Sequence, residues 1–360
     1  DTGFSLDIDA FVHLHLIATR DFINGDDDVG DGDSAQMSHG TMTLSTCGGL
    51  APGNLIGVAP GAEYVLAKTE ILIKEIRVEE DYWVAGLEWA DSMGCDLVSS
   101  SLGYTDWHTN PSDYDGNTAP ATIAADLAAA RGLLVVNAAG NGGCDPLHPS
   151  LVIPADGDSV LTVGASDFHG AIAGFSSCGP TFDGRIKPDV VAPGVNVRVA
   201  HPRSGQYGSG SGTSFATPLV TGVCALLLQK NPSTSPYALI QTLRETATRA
   251  DTPAIPYGWG LIQAAEAAGI VRVPPIEAWP NPASSKVTIV ISYDEAAGEN
   301  ILRVFTVAGQ PVFDTTFNSS RVDWYGLTSG RNRVAAGIYL FWVKTSKRED
   351  LLKVAWLPNE

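Results

Sequence analysis

From its first residues to about Ala268 the chain alternates short β-branched apolar runs with Ala- and Leu-rich helical stretches, and this alternation limits the fold more than any other feature. The runs are Tyr64–Ala67, Leu97–Ser100, Leu133–Asn137, Val160–Gly164 and Val190–Ala192. The helical stretches include Asp81–Met93, Ala121–Arg131, Ser214–Gln229 and Ser235–Thr246, and Pro120 stands where proline is favoured, at a helix start. Strands separated by helices return the chain to the same end of a sheet, so they lie parallel. The runs are apolar at nearly every position and not at every second one, which suits strands covered on both faces. The expected fold class is α/β, a doubly wound parallel sheet.

The pattern then breaks. Val271-Arg-Val-Pro-Pro-Ile-Glu277 carries two prolines and no helical period, so residues 271–278 read as a linker between residues 1–270 and 279–360. From Trp279 onward the periodicity is two, in short runs divided by Gly, Asn and Asp. The candidate strands are Lys286–Ile291, Ile301–Phe305, Pro311–Phe313, Arg321–Trp324, Gly337–Val343 and Leu351–Trp356. Such a series points to a second, small all-β domain, a sandwich.

Charge and cysteines exclude some functions. The formal net charge is -18, and the first 275 residues hold 13 basic against 31 acidic residues, which is the whole imbalance. A domain that acidic repels phosphate backbones, so nucleic acid is not an expected partner. No apolar run approaches the ~20 residues that span a bilayer. None of the five cysteines (Cys47, Cys95, Cys144, Cys178 and Cys224) forms a CxxC pair, so no zinc site is read from them.

Three segments carry chemistry: Asp1-Thr-Gly3, His39-Gly-Thr41 and Gly212-Thr-Ser-Phe-Ala-Thr-Pro218. A serine hydroxyl is a weak nucleophile until a neighbouring base takes its proton. Histidine titrates near the working pH and suits that role, and a carboxylate holds its tautomer and stabilises its charged form. Ser214 opens a helical run, where free N–H groups and the dipole favour a developing oxyanion. Asn141 directly follows an apolar strand and is placed to supply a second donor. Taken singly, Ser214 is one more serine of a Gly/Ser-rich turn, and Asp1-Thr-Gly3 is a common turn sequence.

In this order the segments resemble the subtilisin-like serine peptidases, whose triad runs Asp, His, Ser along the chain. Further matching stretches are Gly57-Val-Ala-Pro-Gly-Ala62, Phe175-Ser-Ser-Cys-Gly-Pro180, Lys187-Pro-Asp-Val-Val-Ala-Pro-Gly194 and Tyr257-Gly-Trp-Gly-Leu-Ile262, so the resemblance covers nearly all of residues 1–268. It implies that Asp1, His39 and Ser214 form the triad and that Asn141 holds the oxyanion. It also implies that Ser101, Leu102 and Gly103 pair with substrate backbone, while Ala138, Ala139 and Gly140 line the pocket for the residue before the scissile bond. Chemistry then requires no cofactor.

Structural calcium is common among such peptidases. The aspartates Asp26, Asp28, Asp31 and Asp33 are either calcium ligands or a solvated acidic loop. A Cys144–Cys178 disulfide follows from the resemblance, the alternative being two unpaired thiols; Cys47, Cys95 and Cys224 read as buried thiols. Family members carry a buried strand before this aspartate and a pro-segment before that, and neither precedes Asp1, so the chain reads as a piece of a longer protein. The sedolisins share the serine motif but place Glu and Asp where His39-Gly-Thr41 stands here.

Trp279-Pro-Asn-Pro-Ala-Ser284, Val304–Gln310 and Ala335-Ala-Gly-Ile-Tyr-Leu-Phe341 resemble the C-terminal sorting domains of the bacterial type IX secretion system. Asp323-Trp324, followed by Gly330 and Val334-Ala-Ala-Gly337, also resembles the immunoglobulin-like domain of flagellar-hook-capping proteins; a generic stabilising or glycan-binding sandwich is the plainer alternative. The whole is expected to be a monomeric serine endopeptidase, secreted or at a bacterial cell surface, that cleaves polypeptides and meets export machinery through its C-terminal domain. The rival is a catalytically inert binding or adhesion protein on the same scaffold.

Overall fold

The computed structural model describes residues 1–360 apart from 31, 73, 146–149, 271–275, 292–297, 347 and 359–360. Two compact units are present, Asp1–Ile270 and Val271–Glu360. No helix of the described residues is long and apolar enough to cross a membrane.

In the first unit, β1 (His15–Asp21) pairs in parallel with β2 (Glu63–Lys68). A second parallel sheet runs in the order β3 (Leu97–Ser100), β4 (Leu134–Ala138), β5 (Leu161–Ser166) and β6 (Val190–Pro193). The helices are α1 (Ser38–Gly48), α2 (Val78–Ser92), α3 (Pro120–Arg131), α4 (Thr213–Lys230) and α5 (Pro236–Thr246).

The unbroken apolar run of β4 has a clear cause. Leu134 and Val136 join one core cluster with α4 and α5, whereas Val135, between them, joins another with α2 and α3. Period two persists, but both faces are buried. α4 is buried at 12 of its 18 residues, as a helix apolar on all sides must be; it reaches every strand of the larger sheet.

The expected single sheet is found as two. β2 and β3 do not pair, and an apolar cavity of about 820 Å³ is lined by residues of both, together with α1, α2 and α4. At the edge of β2 away from β1, the Asp1 N–H group donates to Ala67 O at 3.0 Å and the Asp1 carbonyl accepts from Thr69 N at 3.1 Å.

The second unit contains strands and no helix among its described residues. Its sheets are β7 (Glu277–Trp279), β8 (Val287–Val290) and β11 (Arg321–Trp324) in that order, and β10 (Pro311–Phe317), β9 (Asn300–Thr306), β12 (Gly337–Lys344) and β13 (Glu349–Trp356). All pairs are antiparallel. One apolar cluster draws on both sheets, with the Trp324 ring edge-on to Phe341 at 5.2 Å. Residues 277–278, read as linker, instead form a strand with Trp279, because Glu277 and Ala278 pair with Val290 and Ile289; residues 271–275 lie outside the described residues.

A buried charge network ties β6 to α5. Asp189, fully buried, accepts from Lys187 Nζ at 3.0 Å, Thr162 N at 2.7 Å and the Arg244 guanidinium. Burial pushes its carboxyl up, but the two cations outweigh that and hold it below the usual range. Asp189→Asn leaves Lys187 buried without its counter-charge and is expected to cost about 3–5 kcal/mol. Asp91→Ala, which breaks the largely exposed pair with Arg131, is expected to cost no more than about 1 kcal/mol. Urea unfolding of the two variants beside the parent checks both figures.

Candidate active site

One glycine brings the first pair of site residues together. A Cβ on Gly40 would lie 2.2 Å from the Gly3 carbonyl oxygen, so only glycine after His39 lets the Asp1–Gly3 backbone pack against the start of α1. That contact sets Asp1 beside His39, whose Nδ1 lies 2.8 Å from Asp1 Oδ1. Thr2 N also donates to Oδ1, at 2.7 Å, and Thr43 Oγ1 donates to Oδ2 at 3.1 Å. With Nδ1–H committed to the carboxylate, Nε2 is left as the basic nitrogen. Thr43 was not singled out from the sequence, although it stands four residues after His39 on one helix face, a spacing that marks neighbours.

Burial, and then the nearby positive charge of the chain's first amino group, lower the His39 pKa to about 4. That amino group is itself desolvated and falls to about 6, with the Glu70 carboxylate opposing the shift. Glu70 in turn rises to about 7, because burial disfavours its ionised form.

Ser214 is the second residue of α4, and its position follows from what the helix does with its backbone groups. Thr213 N donates to Asn141 Oδ1 at 2.9 Å, and Thr213 Oγ1 does so at 3.1 Å. Because both partners donate, the oxygen of the Asn141 amide faces Thr213 and its NH₂ is left for another acceptor. Pro218 has no N–H to give to the carbonyl four residues earlier, that of Ser214. Ser101 Oγ donates to that carbonyl instead, at 2.8 Å, and Ser214 Oγ donates back to Ser101 O at 3.3 Å. His39 and Ser214 share no hydrogen bond in this state; the His39 ring centroid lies 6.3 Å from that of Phe215, the next residue.

The segments read as substrate-binding flank Ser214. Ser101–Gly103 continues from β3, and neither the N–H nor the carbonyl of Gly103 bonds to another described residue. Ala138–Gly140 ends β4; Ala138 and Ala139 are buried, Gly140 N donates to Thr213 Oγ1 at 3.3 Å, and Ser177 N donates to Gly140 O at 3.0 Å.

Cys144 and Cys178 are joined by a disulfide, closing a loop beside Asn141. Burial pushes the Cys47 and Cys224 thiols up to about 11 and 12, where neither is reactive at neutral pH. Among the described residues the acidic loop assembles no site. Asp26 Oδ1, Asp28 Oδ1 and Asp33 Oδ1 each accept from a backbone N–H two residues on, and Asp31 lies outside the described residues. Calcium needs about six to eight converging oxygens, and these aspartates do not converge. Among the described residues the carboxylates that do are Glu70, Glu75 and Glu79, and Glu79 is committed to the N–H groups of Ile71 and Ile76.

Residues 1–260 match the model of the subtilase family. Subtilisin BL of Lederbergia lenta is 36% identical over 265 residues, 73% of this chain and 87% of that protein. The M-protease of Shouchella clausii (strain KSM-K16) is also 36% identical over 265 residues, 73% of this chain but only 61% of that protein. Among solved structures, the self-cleaved protease domain of PatA superposes with a TM-score of 0.59 at 29% identity, covering 75% of this chain and 93% of that one. A cold-adapted subtilisin-like serine proteinase does so with a TM-score of 0.57 at 26% identity, covering 73% and 84%. By sequence and by fold together, the chain belongs to the subtilase family of serine endopeptidases.

Proposed function

We propose that the first unit cleaves polypeptides with Asp1, His39 and Ser214 as its triad and Asn141 as the side-chain oxyanion donor. The observation that carries this reading is the Asp1–His39 hydrogen bond of 2.8 Å, which commits Nδ1 and leaves Nε2 basic. On substrate entry the Ser214 hydroxyl turns from Ser101 O toward His39 Nε2, a bond that often tightens only in the complex. Nε2 takes the proton as Ser214 Oγ attacks the carbonyl carbon. The tetrahedral oxyanion is held by the free Ser214 N–H at the start of α4 and by the Asn141 NH₂. Protonated His39 then gives its proton to the departing amine, and water repeats the sequence to release the acyl group. Ser101–Gly103 offers its open edge to the substrate backbone as a neighbouring strand.

The second unit is, on this reading, an immunoglobulin-like sandwich serving export sorting or surface attachment, supported by two antiparallel sheets with one shared core. A location outside the cytoplasm is supported by the Cys144–Cys178 disulfide, since such bonds persist in oxidising compartments.

A fluorophosphonate probe is expected to label the 1–360 chain and not its Ser214→Ala variant; a folded parent that resists labelling would favour the inert binding role. Asn141→Ala is expected to lower kcat on a peptide substrate by about 10²–10³ with little change in KM, the loss seen for such a donor in a subtilisin.

The pH dependence follows from the His39 pKa of about 4, against an ordinary value near 6.5. The imidazole stays neutral, and able to accept a proton, down to that lower value. The acid limb of the labelling rate is therefore expected near pH 4, and a midpoint at 6.5 or above overturns it. Stability has the same sense: between those values the unfolded chain binds a proton that the folded chain does not. His39 stabilisation is thus complete above pH 6.5 and is lost as pH falls toward 4.

A further inference from the structure

We propose that Val152 closes the pocket for the residue before the scissile bond and restricts that residue to Gly, Ala or Ser. This inference rests on the peptidase reading of Ser214 and carries it to a substrate class.

The cleft beside Ser214 has two walls. Ser101–Gly103 is tied to Ser214 by the exchanged hydrogen bonds, and Ala138–Gly140 is tied to Thr213 through the Gly140 N–H. Residues 151–153 cross from one wall to the other. Ile153 N donates to Tyr104 O at 3.1 Å and Tyr104 N to Ile153 O at 2.9 Å, while Val152 N donates to Ala139 O at 3.2 Å. Leu151 and Ile153 are buried, whereas Val152 is only partly so. Of the three, Val152 therefore borders the cleft.

Its two methyl groups reach both walls. A Cβ built on Gly103 would lie 2.1 Å from Val152 Cγ2, and one built on Gly140 would lie 2.8 Å from Val152 Cγ1. The isopropyl group thus spans the floor from one glycine to the other. Valine is β-branched and stiff at χ1, and its backbone is pinned on both sides, so it does not swing aside. An acyl residue whose carbonyl lies between Ser214 Oγ and the Asn141 NH₂ directs its side chain between these walls. A methyl or hydroxymethyl group fits above Val152, and a Leu, Phe or Lys side chain meets the isopropyl head-on.

The test is binding of four cleavage-product peptides with free C-terminal carboxylates, identical except for a final Gly, Ala, Leu or Phe. Calorimetry with the 1–360 chain is expected to give at least tenfold tighter binding for the Ala-ended than the Phe-ended peptide. Val152→Gly is expected to reverse that order, with Val152→Ala between them; the alanine variant keeps the test intact should glycine loosen the segment. Equal binding of Ala- and Phe-ended peptides to the parent, or the parent's preference retained in both variants, overturns the proposal. Fluorophosphonate labelling of the same samples keeps the two readings apart. Selective binding without labelling leaves the pocket standing and removes the peptidase reading, while labelling without selectivity removes the pocket alone.

Discussion

The burial of α4 is the constraint on which the site depends. A helix buried through most of its length has little water at its first turn, so most of its leading N–H and C=O groups find partners in the protein. The Thr213 N–H finds Asn141 Oδ1, and that demand leaves the Asn141 NH₂ for another acceptor. Pro218 leaves the Ser214 carbonyl without its usual helical donor, and the Ser101 hydroxyl fills that vacancy. One missing N–H thereby ties Ser214 to the segment beside it. The hydrogen bonds that orient Ser214 and Asn141 are the same ones that support the buried start of the helix.

Electrostatics at the other half of the site follow from desolvation. Burial penalises whichever form is charged, so it lowers His39 and the first amino group while raising Glu70. The groups around Asp1 are pushed toward neutrality at moderate pH, and the Asp1 carboxylate keeps three kinds of donor: a backbone N–H, an imidazole N–H and the Thr43 hydroxyl. Gly40 makes this possible by letting the start of α1 touch the Gly3 carbonyl where any side chain would separate the two backbones.

Much of this was legible in the sequence, for identifiable reasons. Strands buried on both faces announce themselves as unbroken apolar runs, and β3, β4, β5 and β6 each coincide closely with such a run. The second unit's period-two strands fall close to where alternation placed them, because one face of each is buried in a shared core. β1 went unread since His15-Leu-Ile-Ala-Thr-Arg-Asp21 mixes charge with apolar residues and is largely exposed at its start. α1 was equally hard to see. Its Ser, Thr and Gly residues are indifferent helix formers, and tertiary packing against α4 sustains it. The division into two sheets was not legible at all, because pairing between β2 and β3 depends on what lies between them and not on either strand's own pattern. The aspartates after Asn24 left two readings open for a related reason: a dense run of carboxylates gives composition, whereas a metal site needs convergence, and Asp26, Asp28 and Asp33 each turn back on their own backbone.

Selectivity at a pocket floor requires a floor that holds still, and the surroundings of Val152 supply one. The disulfide fixes Cys178 to the loop that carries Cys144, and the neighbouring backbone fastens that loop at several points. Ser177 N donates to Gly140 O and Ser150 N to Cys178 O, while Gly142 N donates to Ser177 Oγ. Both the wall at Ala138–Gly140 and the approach to Val152 are thus stapled to one short segment, Ser177–Cys178. On the far side Ile153 is bound to Tyr104, whose ring is buried in the α2–α3 core. A loosely held valine would yield to a larger side chain for the cost of a small backbone shift. One held by backbone hydrogen bonds on both flanks transmits the intrusion into two cores and a disulfide loop, so the steric boundary is sharp. On the proposal for Val152, the same packing that builds the first unit decides which side chains fit beside Ser214.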